Sequence, residues 1–193
     1  MLERPEALRL IDAAFPDQPV VMTLGGTIRE MLAVVGRKAN HLYCLDAMGQ
    51  PLAIGLGLAV GLAGRPHGER VVVVEGDGSL LMGFSALATV GHLKPRNLVA
   101  LVLDNGVYLA TGGQPTAAPD TDFVSVARAC GWADGRDVES TPDGLREALN
   151  WALEHDGPLL LRVPVNTIQP KTDFFLEDPV LLARAFEDWL RSP

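Results

Sequence analysis

Apolar residues in this chain form short continuous runs separated by longer segments of helical periodicity. The clearest run is Val71–Val74, four consecutive valines that lead into Glu75 and a Gly-Asp-Gly turn. A strand that is apolar at every position is typical of a parallel sheet buried on both faces. Weaker apolar runs predict further strands at residues 20–24, 41–45, 97–103 and 159–163.

Segments with apolar residues three or four positions apart lie between these strands and predict helices. The predicted helices cover residues 6–15, 28–35, 52–64, 80–92, 123–130, 142–155 and 179–190. Thr27 is predicted to cap the second helix, with Glu30 completing a capping box, and Ser79 is predicted to cap the fourth. Residues 109–122 are predicted as a long loop, which is often functional in a compact domain.

Strands that alternate with helices along the whole chain predict an α/β fold. We expect a three-layer, doubly wound and mainly parallel sheet that comprises residues 1–193 as a single domain. In such a sheet the loops that follow the strands meet at one edge, and ligands bind there.

The composition limits the classes of function. The net charge is −8 and basic clusters are absent from the sequence, so binding to nucleic acid or to an anionic membrane surface is not expected. The first ten residues include two acids and no apolar stretch, which argues against a signal peptide, and the longest apolar run is too short to span a membrane. We therefore expect a cytoplasmic protein. Cys44 and Cys130 lie among apolar residues without a C-x-x-C pattern and are expected in the core.

Two polar side chains follow consecutive predicted strands. Asp77 lies between Gly76 and Gly78 after the valine strand, and Asn105 follows the next strand 28 residues later. A carboxylate and a carboxamide are suitable ligands for Mg²⁺, and glycines leave backbone N–H groups open to a phosphate. Because Gly-Asp-Gly is also a common turn, the position of Asn105 strengthens the inference considerably.

A second strand–glycine–helix unit lies at Gly25-Gly26-Thr27. The N–H groups at the start of the following helix could bind an anion. The alternative is an ordinary connection between a strand and a helix.

These motifs together resemble the thiamin diphosphate-dependent enzymes. The sequence from Gly76 to Ser79, followed by Asp104-Asn105, resembles the motif with which that family binds the cofactor. A wider pattern is similar to the β subunit of sulfopyruvate decarboxylases and to the C-terminal part of phosphonopyruvate decarboxylases. That pattern includes Met48-Gly49 and residues 87–90, 104–108 and 111–116, and the similarity is strongest over residues 20–131.

The resemblance implies roles for individual positions. Asp77, the Asn105 side chain and the backbone carbonyl of Val107 would bind Mg²⁺. Met48 would lie under the cofactor and support its bent conformation. Asp46 stands where relatives commonly have Gly, and its backbone carbonyl would contact the aminopyrimidine ring. The implied contacts of the diphosphate are Gly25, Gly26, Thr27, Gly76, Gly78 and Ser79.

For the activity, the resemblance implies a Mg²⁺- and thiamin diphosphate-dependent decarboxylase of a short 2-oxo acid, one that could carry a sulfonate or phosphonate group. Arg29 and the loop Thr111–Gln114 are candidates for binding that anionic group. Carboligation, as in acetolactate synthases, and a non-catalytic cofactor-binding module are the alternatives.

The resemblance also implies a partner. In this family a Glu from a separate pyrimidine-binding domain contacts the aminopyrimidine, and the chain has about the size of the diphosphate-binding half alone. We therefore expect a hetero-oligomer with an α subunit that carries this Glu, and also self-association. No catalytic residue is expected in this chain, and His41, His92 and His155 are expected in the core or on the surface.

Overall fold

The valine run lies within a six-stranded sheet in the computed structural model, which describes residues 1–192. Its strands are Val20–Met22 (β1), His41–Tyr43 (β2), Val71–Gly76 (β3), Leu98–Asp104 (β4), Asp134–Asp137 (β7) and Leu159–Pro164 (β8). The strand order is β2-β1-β3-β4-β8-β7, and every pairing between neighbours is parallel. The structure therefore confirms the predicted parallel sheet.

The helices of the described residues lie close to the predicted positions. They are Arg4–Ala14 (α1), Gly26–Val35 (α2), Pro51–Gly61 (α3), Asp77–Met82 (α4), Ala86–Leu93 (α5), Phe123–Ala129 (α6), Pro142–Glu154 (α7) and Pro179–Leu190 (α8). Thr141 caps α7 by accepting a hydrogen bond from the Gly144 amide at 3.1 Å. Among residues 1–192, no helix combines the length and the apolar character needed to cross a membrane.

The sheet separates two hydrophobic cores. Val72 and Val74 pack on one face with apolar residues of α1, α2, α7 and α8. Val71 and Val73 pack on the other face with residues of α3, α5 and α6. Because successive side chains of a strand point to opposite faces, one continuous apolar strand serves both cores. The result is the predicted three-layer arrangement.

The sequence analysis missed strand β7. Its residues are Asp-Gly-Arg-Asp, and it pairs only with β8 at the edge of the sheet. An edge strand has one open side and needs no apolar run, so the hydrophobic pattern contains no signal for it.

The helix predicted at residues 80–92 is wrong in two respects. It is divided into α4 and α5, and the break begins at Gly83, where an added Cβ would overlap the backbone carbonyl of Gly49. In addition, α4 begins at Asp77, so Ser79 lies inside the helix and is not its cap. The close approach of the residue 46–50 loop accounts for the break.

The predicted capping box at α2 is also wrong. The helix begins at Gly26, and its N-cap is Gly25, whose φ of 82° is readily adopted only by glycine. Thr27 therefore lies within the first turn. Glu30 does not reach back to the helix start, because its carboxylate pairs with Arg4.

Part of the predicted loop at residues 109–122 forms a small hairpin. Strands Val107–Tyr108 (β5) and Gln114–Pro115 (β6) are antiparallel and form a separate two-stranded sheet.

Both cysteines are free. Cys44 is buried as predicted, and burial raises its pKa to about 12. Cys130 is only partly buried.

His41 provides a test of the fold that depends on pH. Its side chain is buried beside Asp12, and burial lowers its pKa from 6.5 to about 4. Between pH 6.5 and pH 4 the imidazole is protonated in the unfolded chain and neutral in the folded chain. The free energy of unfolding must therefore decrease as the pH falls. We expect a loss of about 2–3 kcal/mol in the free energy of unfolding between pH 7 and pH 4.5 from this residue.

Urea unfolding of the wild type and of His41→Leu at both pH values measures this contribution. The stability of His41→Leu should depend less on pH by about the stated amount. His92→Gln is the matched control, because His92 is exposed and its replacement should leave the pH dependence unchanged. Equal pH dependence in wild type and His41→Leu would contradict the buried neutral imidazole.

Candidate cofactor site

The loops that follow β1, β2, β3 and β4 meet at one edge of the sheet and surround a cavity of about 300 Å³. Parallel strands place their carboxyl ends together, so residues far apart in sequence converge there. The cavity is lined by the predicted site residues Gly26, Thr27, Met48, Gly76, Asp77, Gly78, Ser79, Asn105 and Val107. Thr111 of the predicted substrate loop lines it as well.

Asp77 is the acidic side chain of this cavity and is almost fully buried. One carboxylate oxygen accepts a hydrogen bond from the Thr116 hydroxyl at 2.6 Å, and the other is 3.4 Å from the backbone nitrogen of Asn105. Burial and the charge of Asp104 raise the pKa of Asp77, whereas the hydrogen bond from Thr116 lowers it. A cation at this position would therefore stabilise the carboxylate strongly.

The turn after β4 is held in shape by its own side chains. Asp104 accepts a hydrogen bond from the Gly106 amide at 3.0 Å, and Asn105 accepts one from the Val107 amide at 3.0 Å. The other oxygen of Asp104 pairs with Arg162 of β8 at 2.7 Å. These contacts fix Asn105 at the cavity wall.

The backbone carbonyl of Val107 is available to a ligand. The carbonyls on either side, those of Gly106 and Tyr108, accept hydrogen bonds from Thr116 and Gly113 across the hairpin. Alternate residues of an antiparallel strand direct their carbonyls to opposite sides, so that of Val107 faces away from β6.

Glycines leave the space that a phosphate needs. An added Cβ at Gly76 would meet no atom of residues 1–192 within 4 Å, although Gly76 lines the cavity. A Cβ at Gly78 would instead overlap the ring of Tyr108. Gly25 does not line the cavity, but its φ of 82° creates the turn that brings Gly26 and Thr27 to the cavity wall.

The donor set fits magnesium diphosphate. A carboxylate, a carboxamide and a backbone carbonyl are hard oxygen ligands of the kind that Mg²⁺ prefers. They lie beside Gly76, where there is open space, and beside the start of α2, where backbone N–H groups favour anions.

Met48 lies in the loop after β2, at the cavity, and is 46% exposed. Such exposure is unusual for a methionine that fills a core, and it leaves the side chain accessible to a ligand. Asp46 does not line the cavity, but its φ of 54° is a conformation that favours glycine. Aspartate is one of the few residues other than glycine that adopt this conformation readily.

Arg4 was not identified from the sequence, and it is the only basic residue among those lining the cavity in the described part of the chain. Its guanidinium forms a bidentate pair with Glu30 of α2, and the side chains are 9% and 1% exposed. Arg4 Nη2 lies 2.6 Å from the position of an added Cβ at Gly26, so a side chain there would displace the guanidinium. Arg29, proposed from the sequence for the anionic group, lies instead over the Phe174 ring at 5.2 Å and outside the cavity lining.

Two further residues at the site escaped the sequence analysis. Thr116 lies in a segment that was singled out, but only the fold shows its hydroxyl at Asp77. Glu75 lies between the valine run and Gly76 and is completely buried. Burial raises its pKa to about 7, against the opposing effect of the nearby Ser79 side chain and of the hydrogen bond from the Leu52 amide. A buried acid in an apolar strand was the available signal for Glu75.

The chain is similar in sequence to a known protein family and to characterised enzymes. Residues 30–163 match the family described as thiamine pyrophosphate enzyme, C-terminal TPP binding domain. The chain is 44% identical over 198 residues to phosphonopyruvate decarboxylase of Streptomyces viridochromogenes, covering 98% of this chain and 47% of that protein. It is 38% identical to sulfopyruvate decarboxylase subunit beta of Methanothermobacter thermautotrophicus, covering 86% of this chain and 83% of that protein.

The chain thus spans about half the length of the phosphonopyruvate decarboxylases that it matches. Among solved structures, benzoylformate decarboxylase from Polynucleobacter necessarius superposes with a TM-score of 0.71. The alignment covers 85% of this chain and 33% of that protein at 23% identity, which supports the fold alone.

Because the ion pair of Arg4 and Glu30 is buried, we expect it to contribute much more to the free energy of unfolding than an exposed ion pair does. Glu30→Gln leaves the guanidinium buried without its counter-charge, and we expect it to lower the free energy of unfolding by about 3–5 kcal/mol. Glu177→Gln is the matched control, because its partner Arg37 is 48% exposed. That variant should cost less than about 1 kcal/mol in the same denaturant titration.

A double variant separates loss of the pair from loss of packing. Arg4→Met combined with Glu30→Leu removes both charges and should recover most of the stability lost in Glu30→Gln. Equal destabilisation by Glu30→Gln and Glu177→Gln would contradict the buried pair.

Proposed function

The chain belongs to the thiamine pyrophosphate enzymes, as their C-terminal TPP-binding domain, and we propose on this basis that it is the diphosphate- and magnesium-binding subunit of a 2-oxo acid decarboxylase. The observation that carries the proposal is the arrangement around Asp77. Its buried carboxylate, Asn105 and the free carbonyl of Val107 line one cavity with the glycines of two strand–helix turns. We propose that residues 1–193 act together as one such domain.

In this proposal Asp77, the Asn105 side chain and the Val107 carbonyl bind Mg²⁺. The N–H groups at the start of α2, at Gly26 and Thr27, and those of Gly78 and Ser79 bind the diphosphate. The dipole of α2 adds a favourable interaction with the negative charge. Gly76 leaves space for the phosphate oxygens, and Gly25 supplies the turn before α2.

The other end of the cofactor belongs to the loop after β2. We propose that the exposed side chain of Met48 supports the bent conformation and that the backbone carbonyl of Asp46 accepts a hydrogen bond from the aminopyrimidine. When bound, thiamin diphosphate supplies the electron sink for the loss of CO₂ from a 2-oxo acid. This chain contributes binding and orientation, and we assign none of its side chains a role in proton transfer.

The substrate that we propose is a short 2-oxo acid with a phosphonate or sulfonate group. Support comes from the names of the two relatives, a phosphonopyruvate decarboxylase and a sulfopyruvate decarboxylase subunit. Thr111 and Arg4 lie at the cavity and could contact the anionic group, whereas Arg29 lies outside the lining.

We propose that a partner chain completes the active site. A relative of which this chain covers 83% is named as a beta subunit, which supports an assembly of different chains. The partner would bring the pyrimidine-binding domain and its Glu, and further copies of this chain are expected in the complex.

The metal assignment can be tested with Asp77→Ala. Removal of the carboxylate takes away a charged ligand, so Mg²⁺-dependent binding of thiamin diphosphate by the complex of this chain with its partner should fall below detection in calorimetry. Asp143→Ala is the matched control, because Asp143 is 95% exposed on α7 and should have no effect on binding. Thermal unfolding of both variants shows whether the fold is intact. Undiminished binding by a folded Asp77→Ala protein would refute the metal site.

The partner can be tested by activity. Release of CO₂ from a panel of 2-oxo acids should require both this chain and the co-expressed product of the neighbouring gene, because the aminopyrimidine needs the Glu from the second domain. Product analysis with pyruvate separates decarboxylation from carboligation. Robust decarboxylation by the purified chain alone would overturn the proposed assembly.

A further inference from the structure

Glu75 is a buried acid that the proposed chemistry does not use. It is the fifth residue of β3, directly before Gly76, and its exposure is 0%. Its neighbours along the strand are the apolar residues of the two cores. Burying a carboxyl group in such a place costs free energy unless it is hydrogen-bonded, so its contacts are informative.

The carboxylate reaches the start of α3. Oε1 accepts a hydrogen bond from the Leu52 amide at 3.0 Å. Leu52 is the second residue of α3, and amides at the start of a helix have no partner within the helix. Oε2 is buried and accepts no hydrogen bond from residues 1–192.

This contact fixes one end of the loop of residues 46–50, the Met48 loop. A second contact fixes its middle, because the Gly49 amide donates to the Ser79 hydroxyl at 3.2 Å. Gly49, with a φ of 72°, packs so closely on α4 that an added Cβ would lie 2.9 Å from the Gly83 nitrogen. Both contacts lead to the turn at Gly76–Ser79.

The sheet alone does not hold these two segments together. The Met48 loop follows β2, and the turn of residues 76–79, the glycine turn, follows β3. Strand β1 lies between those two strands. The loop must therefore cross the end of β1, and α3 then packs on β3. The hydrogen bond from the Leu52 amide to Glu75 connects this crossing segment to β3, the strand that directly precedes Asp77.

We propose that Glu75 is a positioning residue that sets the distance between Met48 and the glycine turn, and thereby the bent conformation of the bound cofactor. The inference rests on the proposed function, because it assigns the aminopyrimidine to Met48 and the diphosphate to the turn. Glu75 itself touches neither the cofactor nor the metal in this proposal.

The first test needs neither cofactor nor partner. Amide hydrogen exchange of the full chain, followed by NMR, reports on the Gly49 and Leu52 hydrogen bonds. In Glu75→Ala both amides should exchange at least about tenfold faster than the change in global stability explains. Glu75→Gln keeps an oxygen acceptor and should restore protection to within about twofold. Val74→Ala controls for loss of packing, because Val74 is equally buried on the opposite face.

The second test separates the two ends of the cofactor by calorimetry with Mg²⁺, carried out on the assembled complex of this chain with its co-expressed partner. Inorganic pyrophosphate reports only on the diphosphate contacts, at the turn of residues 76–79 and at the start of α2, whereas thiamin diphosphate also reports on the Met48 loop. Glu75→Ala should raise the Kd for thiamin diphosphate about tenfold and leave that for pyrophosphate within about twofold. Glu75→Gln should bind both ligands like the wild type.

The two experiments test separately whether Glu75 holds the Met48 loop and whether it positions the cofactor. Unchanged exchange at Gly49 and Leu52 in Glu75→Ala would overturn the role of Glu75 in holding the loop. Equal weakening of both ligands, or a wild type that binds thiamin diphosphate no more tightly than pyrophosphate, would overturn its role in positioning the cofactor. A wild type that binds neither ligand would refute the proposed function, while the exchange experiment would still decide whether Glu75 holds the loop.

Discussion

The burial of Asp77 is the constraint on which the rest of the site depends. A carboxylate inside a protein needs compensation, and the hydrogen bonds that it receives here come from a neutral hydroxyl and a backbone amide. The nearby Asp104 makes the need greater, although Arg162 pairs with Asp104 on its far side. The turns after β3 and β4 bring Asn105 and the Val107 carbonyl to the same cavity. The local fold thus prepares a place for a cation.

The sequence was informative wherever a single physical requirement determined the residue type. Strand β3 must be apolar at successive positions because it serves two cores, and this made the sheet class predictable. Helix α8 agreed at both ends, because Pro179 marks its start and the apolar periodicity stops at Leu190. Asp77, Asn105 and Met48 could be singled out because short motifs carried them, and the fold brings all three to one cavity.

The remaining features depend on contacts between distant segments, which periodicity does not record. Strand β7 is polar because it lies at an edge, and the break after α4 exists because Gly49 approaches Gly83. Thr27 and Glu30 have the spacing of a capping box. The Glu30 carboxylate nevertheless pairs with the buried guanidinium of Arg4 and does not cap the helix. An ion pair excluded from water outweighs the modest gain from a helix cap.

Under the proposed function, the architecture also separates two tasks that the cofactor would impose on the protein. The diphosphate and its metal would need charge and accessible backbone groups at the turns that follow β1, β3 and β4. The aminopyrimidine would need an apolar support from Met48, which follows β2, and β2 is not a neighbour of β3. Because β2 and β3 are not neighbours, the sheet does not fix the distance between Met48 and the glycine turn. A specific contact must fix that distance. Glu75 is suited to that purpose because it lies in β3, two residues before Asp77, while its carboxylate accepts a hydrogen bond from the start of α3, the helix that follows Met48.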